Sequence, residues 1–164
     1  MQIGWSTIRA IDTILENLSA QDTHQQQLDV EIDEELSTMP GRGGDKLRTN
    51  LQSDLPMVDF AVAQAVRRIL REAVINAFTH SEAEEIEVTT RLEEDVFVLQ
   101  VRDNGRGFDY HPDLTGTHQG LIIMHERIDE IQEASLTVQS APGEGTTITA
   151  RIPCRRPDAE ELSQ

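Results

Sequence analysis

The apolar run Val96-Phe97-Val98-Leu99-Gln100-Val101 leads straight into Asp103-Asn104-Gly105-Arg106-Gly107-Phe108. Asp-Asn-Gly is one of the commonest hairpin turns, and a hairpin needs a second alternating strand directly after it. None follows. Arg106 to Asp113 has no period-two pattern, so the strand ends in a loop. Two glycines bracketing an arginine let backbone approach a flat ligand closely. An aspartate at a strand end can accept a hydrogen bond from an exocyclic amine, such as the 6-amino group of adenine, where guanine has a carbonyl. An ordinary turn is the competing reading of the same six residues.

A chain of 164 residues suits one domain with a real core. With aromatic content of 4%, that core has to be aliphatic. The net charge of −16, with thirteen arginines and the single lysine Lys46, repels nucleic acid and anionic membranes, so neither is expected as a partner. Cys154 is the sole cysteine, which fits a reducing compartment. No apolar run nears the roughly 20 residues that span a bilayer, and the N-terminus lacks the regions of a signal peptide. The expectation is a soluble, cytoplasmic chain without membrane contact of its own.

Ile3, Ile8, Ile11, Ile14, Leu15 and Leu18 lie at roughly helical spacing over residues 3–18. Residues 24–37 read as a glutamine- and acid-rich helix, mostly solvated. Pro40-Gly41-Arg42-Gly43-Gly44 breaks the chain, and Leu47 to Leu55 reads weakly as a strand. Asp59 is placed to cap a long helix ending near His80, with Val62, Val66, Ile69, Ala73 and Ala77 on one face. Residues 86–90 and 96–102 are strands around an acidic turn, and 103–120 is a long loop. A helix follows over 121–133, then strands over 136–139 and 146–152 around Ala141-Pro142-Gly143-Glu144-Gly145. This order predicts an α+β sandwich, one mixed sheet covered by helices on a single face.

Asn76 falls two helical turns beyond Ile69, in line with the apolar stripe. A buried amide without partners costs roughly 1–3 kcal/mol, so a partner is required. Glu72 is one turn earlier and His80 one turn later, which raises a carboxylate, an amide oxygen and an imidazole on adjacent surfaces of one helix. Oxygen donors of this kind suit Mg²⁺, which takes few protein ligands. Against this, Asn76 could bond neighbouring backbone, and a histidine at a helix C-terminus is favoured by the dipole alone. Gly120 precedes the second helix, whose first turn offers N–H groups to anions. The stretch Asp109 to Gln119 is long enough to fold over a ligand as a lid. Gly143-Glu144-Gly145-Thr146 is an ordinary turn whose hydroxyl reaches the ligand if its strand returns beside Asp103.

Four segments thus stand in order: Arg71-Glu72-Ala73-Val74-Ile75-Asn76-Ala77-Phe78-Thr79-His80, Asp103-Asn104-Gly105-Arg106-Gly107, Gly120-Leu121-Ile122-Ile123-Met124-His125-Glu126-Arg127, and Gly143-Glu144-Gly145-Thr146. Together they resemble the catalytic ATP-binding domain of sensor histidine kinases in the GHKL superfamily. The wording is closest to the subgroup that includes the nitrate/nitrite sensors, over about residues 55–153. The resemblance implies a Bergerat-type two-layer α/β sandwich that binds ATP and Mg²⁺. Asn76 would coordinate the metal, and Glu72 would sit beside metal and phosphates, these two being the catalytic pair. Asp103 would accept from the adenine amine, with Gly105 and Gly107 letting the base lie close. Gly120 would serve the phosphates and lid, Thr146 the adenine end, and His80 and Leu121 would complete the nucleotide set.

On this reading residues 1–40 are a helical segment, either a remnant of a dimerisation module or a linker. Residues 41–153 are the ATP-binding catalytic domain, and 154–164 a disordered polar tail. The partners implied are a histidine-bearing dimerisation domain and a response regulator, with the chain in the cytoplasm or forming the cytoplasmic part of a membrane-bound sensor. Many relatives carry lysine where this chain has Thr79, and Ile122 replaces the second glycine of the lid motif. No phosphoacceptor stands out, since His24 is followed by Gln25 and His125-Glu126 belongs to the lid-side helix. Two other functions stay open: an anti-sigma-factor-type serine kinase, and a non-catalytic ATP-binding regulatory module.

Overall fold

The apolar run from Val96 and the alternating segment from Ile86 fold as strands, and the 3.6-periodic segment ending at His80 as a helix. A computed structural model describes residues 25–113 and 118–154. The elements are β1 (Gln25–Gln27), α1 (Leu28–Ser37), β2 (Leu47–Leu51), β3 (Met57–Asp59), α2 (Phe60–His80), β4 (Ile86–Glu93), β5 (Val96–Asp103), α3 (Gln119–Asp129), β6 (Ser135–Ser140) and β7 (Thr146–Pro153). Five strands form one sheet in the order β2-β4-β5-β7-β6. Only the β2–β4 pair is parallel, so the sheet is mixed as expected. The expected helix over residues 3–18 lies outside the described residues.

Strand alternation divides the sheet into two faces. Val88, Leu99, Val101, Ile148 and Ala150 point into the core, where they meet Val66, Ile69, Ala73 and Ala77 of α2 and Leu121, Met124 and Ile128 of α3. The opposite face carries threonine, glutamine and charged side chains. Val98 sits on that face yet is fully buried, because Arg91 and Arg151 flank it in register. Both arginines bond Glu93, at 2.6 and 2.7 Å. The flanking guanidinium groups hold the Glu93 carboxyl below the usual carboxylate range.

Several elements differ from expectation. The acid-rich helix is not mostly solvated. Leu28, Ile32 and Leu36 recur every four residues and are all but fully buried against α2. Glu31 and Glu35 are buried with them, which their partners make tolerable: Arg67 reaches Glu31 at 2.8 Å and Glu35 at 3.1 Å, and Arg71 reaches Glu35 at 3.1 Å. A two-stranded antiparallel β1–β3 ribbon, too short to be seen as a pattern, precedes α2. Asp59 occupies the N-cap position of α2, but its side chain makes no capping bond. The helix expected over 121–133 starts at Gln119 and stops at Asp129. Cys154 is buried, and its N–H donates to the Asp95 carbonyl at 2.7 Å. None of the described helices is long and apolar enough to cross a membrane.

Candidate functional site

The loop after β5 is held from both sides by main chain. Asn104 turns away from the cavity, and its Oδ1 accepts the N–H groups of Glu84 (3.0 Å) and Glu85 (2.9 Å). Arg106 N–H donates to the Ser81 carbonyl at 2.7 Å, while Gly143 N–H donates to the Arg106 carbonyl at 2.6 Å. A Cβ at Gly105 would collide with the Ser81 carbonyl, and one at Gly107 (φ +60°) with that of Ala141. The glycines are therefore required by protein backbone on protein backbone, whatever ligand lies beyond. Gly107 lines the cavity. Gly105 stands behind the wall and donates its N–H to Asp103 Oδ1 at 2.9 Å.

Asp103 ends β5 opposite Thr146 of β7 and is only 6% exposed. Burial pushes its carboxyl pKa above the ordinary range, opposed by the N–H groups of Gly105 and Thr146 and by the adjacent Ser81 hydroxyl. Ser81 has a single hydroxyl proton, and its 2.5 Å approach to the Ala77 carbonyl claims that proton in this geometry. The two N–H groups are thus the donors that count. The Ser140 hydroxyl donates its one proton to the Gly145 carbonyl (3.0 Å) and accepts the Phe108 N–H (2.9 Å). With that proton used, the Thr146 hydroxyl, 2.9 Å away on the cavity wall, donates to Ser140 and keeps its own lone pairs for another donor.

The rest of the wall comes largely from α2 and α3. Asn76 is half-buried and lines the cavity. Its amide has no hydrogen-bond partner among the described residues, so the bond to neighbouring backbone does not form. The amide lies against Gly120, where a Cβ would come within 2.6 Å of Asn76 Nδ2. Among the described residues no group of three or more histidine, cysteine, aspartate or glutamate side chains stands ready for a metal. A cation at Asn76 would take most of its ligands from phosphate and water, which suits Mg²⁺. In α3 the N–H groups of Leu121 and Ile122 bond the His118 carbonyl at 3.0 and 3.2 Å. This leaves those of Gln119 and Gly120 for an anion. Leu121 contributes its buried side chain to the wall rather than an N–H.

The cavity measures about 450 Å³, within the range of small-ligand sites. Asn76, His80, Asp103, Gly107, Gly120, Leu121 and Thr146 meet on its wall, with Ala73, Ala77 and Ile148 as apolar lining. Glu72 and Gly105 do not reach it. Glu72 sits one turn before Asn76, with Arg68 Nε 3.7 Å away. Thr79 is exposed, and its hydroxyl returns to the Ile75 carbonyl at 2.8 Å. Sequence reasoning missed Ser81, Phe108 and His118. The rings of Phe108 and His118 stack at 4.6 Å with 27° between planes, and Tyr110 meets Phe108 edge-on at 6.3 Å. Phe108, the aromatic just past the second glycine, was the one available signal.

Residues 61–156 match the family model described as histidine kinase-, DNA gyrase B- and HSP90-like ATPase. The chain is 40% identical over 91 residues to the signal transduction histidine-protein kinase/phosphatase DegS of Bacillus subtilis (strain 168), covering 54% of this chain and 23% of that protein. It is 33% identical over 128 residues to the sensor protein VraS of Staphylococcus haemolyticus (strain JCSC1435), covering 72% of this chain and 36% of that one. The chain thus spans about a quarter to a third of the length of these relatives. The histidine kinase domain from the Erythrobacter litoralis EL346 blue-light activated histidine kinase shares the fold, with a TM-score of 0.65 at 18% identity over 84% of this chain and 71% of that one. With a mixed sheet under helices, an aspartate buried at the end of its central strand, and the family-model match over residues 61–156, the chain belongs to the histidine kinase-, DNA gyrase B- and HSP90-like ATPase family.

Proposed function

We propose that this chain is the ATP-binding catalytic domain of a two-component sensor histidine kinase. It holds ATP with Mg²⁺ so that the γ-phosphoryl passes to a histidine on a separate dimerisation domain, and from there to a response regulator. The observation that carries this reading is the placing of an unpartnered amide, Asn76, and a buried carboxylate, Asp103, on the wall of one cavity. Asp103 accepts the adenine amine, and Thr146 offers lone pairs to the same end of the base. The free N–H groups of Gln119 and Gly120 receive phosphate oxygens. The Asn76 amide oxygen is the protein ligand for the metal, which offsets phosphate charge when bound. Glu72 lies beside this metal-phosphate end, held only by an exposed arginine. Catalysis of this type is mostly positioning and charge neutralisation. The buried single cysteine fits a cytoplasmic setting.

Calorimetric titration with a non-hydrolysable ATP analogue, with and without Mg²⁺, tests the reading. The unmutated chain binds; Asp103→Asn binds far less, and Asn76→Ala loses the benefit of Mg²⁺. Absence of binding by the unmutated chain refutes it. One observation favours the regulatory-module alternative: Thr79 supplies no cation and bonds its own helix. Phosphotransfer to an added histidine-bearing helical domain separates the two. Binding without transfer marks the module.

A further inference from the structure

We infer that His118 is a positioning residue that fixes the first turn of α3 against the nucleotide cavity through its ring contact with Phe108. This rests on the nucleotide-binding reading above. His118 occupies the N-cap position of α3 with φ −124° and ψ 67°, and its side chain makes no capping bond. Its ring nitrogens have no hydrogen-bond partner among the described residues. The ring instead lies on Phe108, 4.6 Å centroid to centroid. Phe108 is a firm base for it, since its N–H is bound by the hydroxyl of Ser140 at the β6–β7 end. The His118 carbonyl accepts the N–H groups of Leu121 and Ile122. Where the ring sits therefore determines where the helix starts and where the unbonded N–H groups of Gln119 and Gly120 point. It also sets the approach of Gly120 to the Asn76 amide. The stack ties the phosphate end of the cavity, built on α3, to the base end, built on the β5 loop.

A purely structural role for the ring would change stability and treat all ligands alike. A cationic role would need charge rather than a ring. The full chain and the variants His118→Leu, His118→Phe and His118→Lys are titrated with a non-hydrolysable ATP analogue plus Mg²⁺. Adenosine is titrated in parallel, followed by amide chemical shifts, with thermal unfolding as the check on folding. His118→Leu is expected to weaken the ATP analogue about three- to tenfold, the reach of one aromatic pair, and adenosine by clearly less. His118→Phe restores the analogue and His118→Lys does not. Equal losses on both ligands, rescue by lysine instead of phenylalanine, or no loss in His118→Leu overturns the inference. Should the leucine variant fail to fold, a folded His118→Phe that still binds the analogue weakly does the same. Failure of the unmutated chain to bind either ligand removes the nucleotide reading and this inference with it. Normal binding by the unmutated and leucine chains alike removes only the inference.

Discussion

Replacing Asp103 by asparagine should separate binding from stability in opposite directions. The carboxylate faces the N–H groups of Gly105 and Thr146 from inside the protein and, on the proposed reading, an amine from the ligand. Asparagine keeps one acceptor oxygen and adds an NH₂ group. That group must confront either a backbone N–H or the ligand amine, so one donor is left facing another. Losing a hydrogen bond to a charged acceptor costs about 1.5–3 kcal/mol, an affinity loss of about ten- to 150-fold.

The ligand-free protein responds the other way. Burial raises the Asp103 pKa in the folded state. As pH rises, the unfolded chain therefore loses this proton first, and the stability present below the unfolded pKa is lost as pH passes the folded one. At neutral pH the buried charge is a cost that asparagine does not carry. The thermal midpoint of ligand-free Asp103→Asn should thus equal or exceed that of the unmutated chain at neutral pH, with the advantage disappearing on acidification. Calorimetry for binding, together with thermal melts across pH, reads both quantities. A variant that binds weakly because it is also less stable at neutral pH would refute the reasoning, since Asp103 would then be holding the fold.

Gly120→Ala improves helix propensity by about 1 kcal/mol but places a methyl 2.6 Å from Asn76 Nδ2. Melting temperature should hold or rise while Mg²⁺-dependent analogue binding falls, which parallel calorimetry and thermal melts can follow. Glu35→Ala strips Arg67 and Arg71 of a buried partner. Because both arginines keep access to water, urea unfolding should show a loss of only about 1–2 kcal/mol. Ser140→Ala orphans the Phe108 N–H and the Thr146 hydroxyl. A loss of about 1–3 kcal/mol in urea, with faster hydrogen exchange at Phe108, is expected.

Much of this was legible because it is local. The strands of the sheet alternate, α2 keeps its period from Phe60 onward, and the motif residues occupy segments whose order alone carries the resemblance. Asn76 announced itself as a polar residue on an apolar stripe. What escaped depends on contacts between distant segments. Glu31 and Glu35 read as solvated because acidic composition hides the Leu28, Ile32, Leu36 spacing, and only Arg67 and Arg71 on another helix explain their burial. Asn104 looks like a turn residue until the 84–85 N–H groups are seen on its oxygen. Phe108 and His118 are ten residues apart across a loop without periodicity, so nothing in the spacing brings their rings together.

The two walls of the cavity are made of different material. On the base side, Gly105, Gly107 and Gly145 lie so close to the carbonyls of Ser81, Ala141 and Asp103 that main chain is sealed on main chain. On the helix side, the side chains of Ala73, Asn76, Ala77, His80 and Leu121 meet the cavity. Variation is therefore unequally tolerated. A substitution among the glycines has to move backbone in two places at once, whereas one on the helices exchanges only the atoms a ligand meets. A library meant to retune which phosphate-bearing ligand this scaffold accepts belongs at positions 76, 80 and 121, with the loop of 103–108 and its partner His118 left untouched.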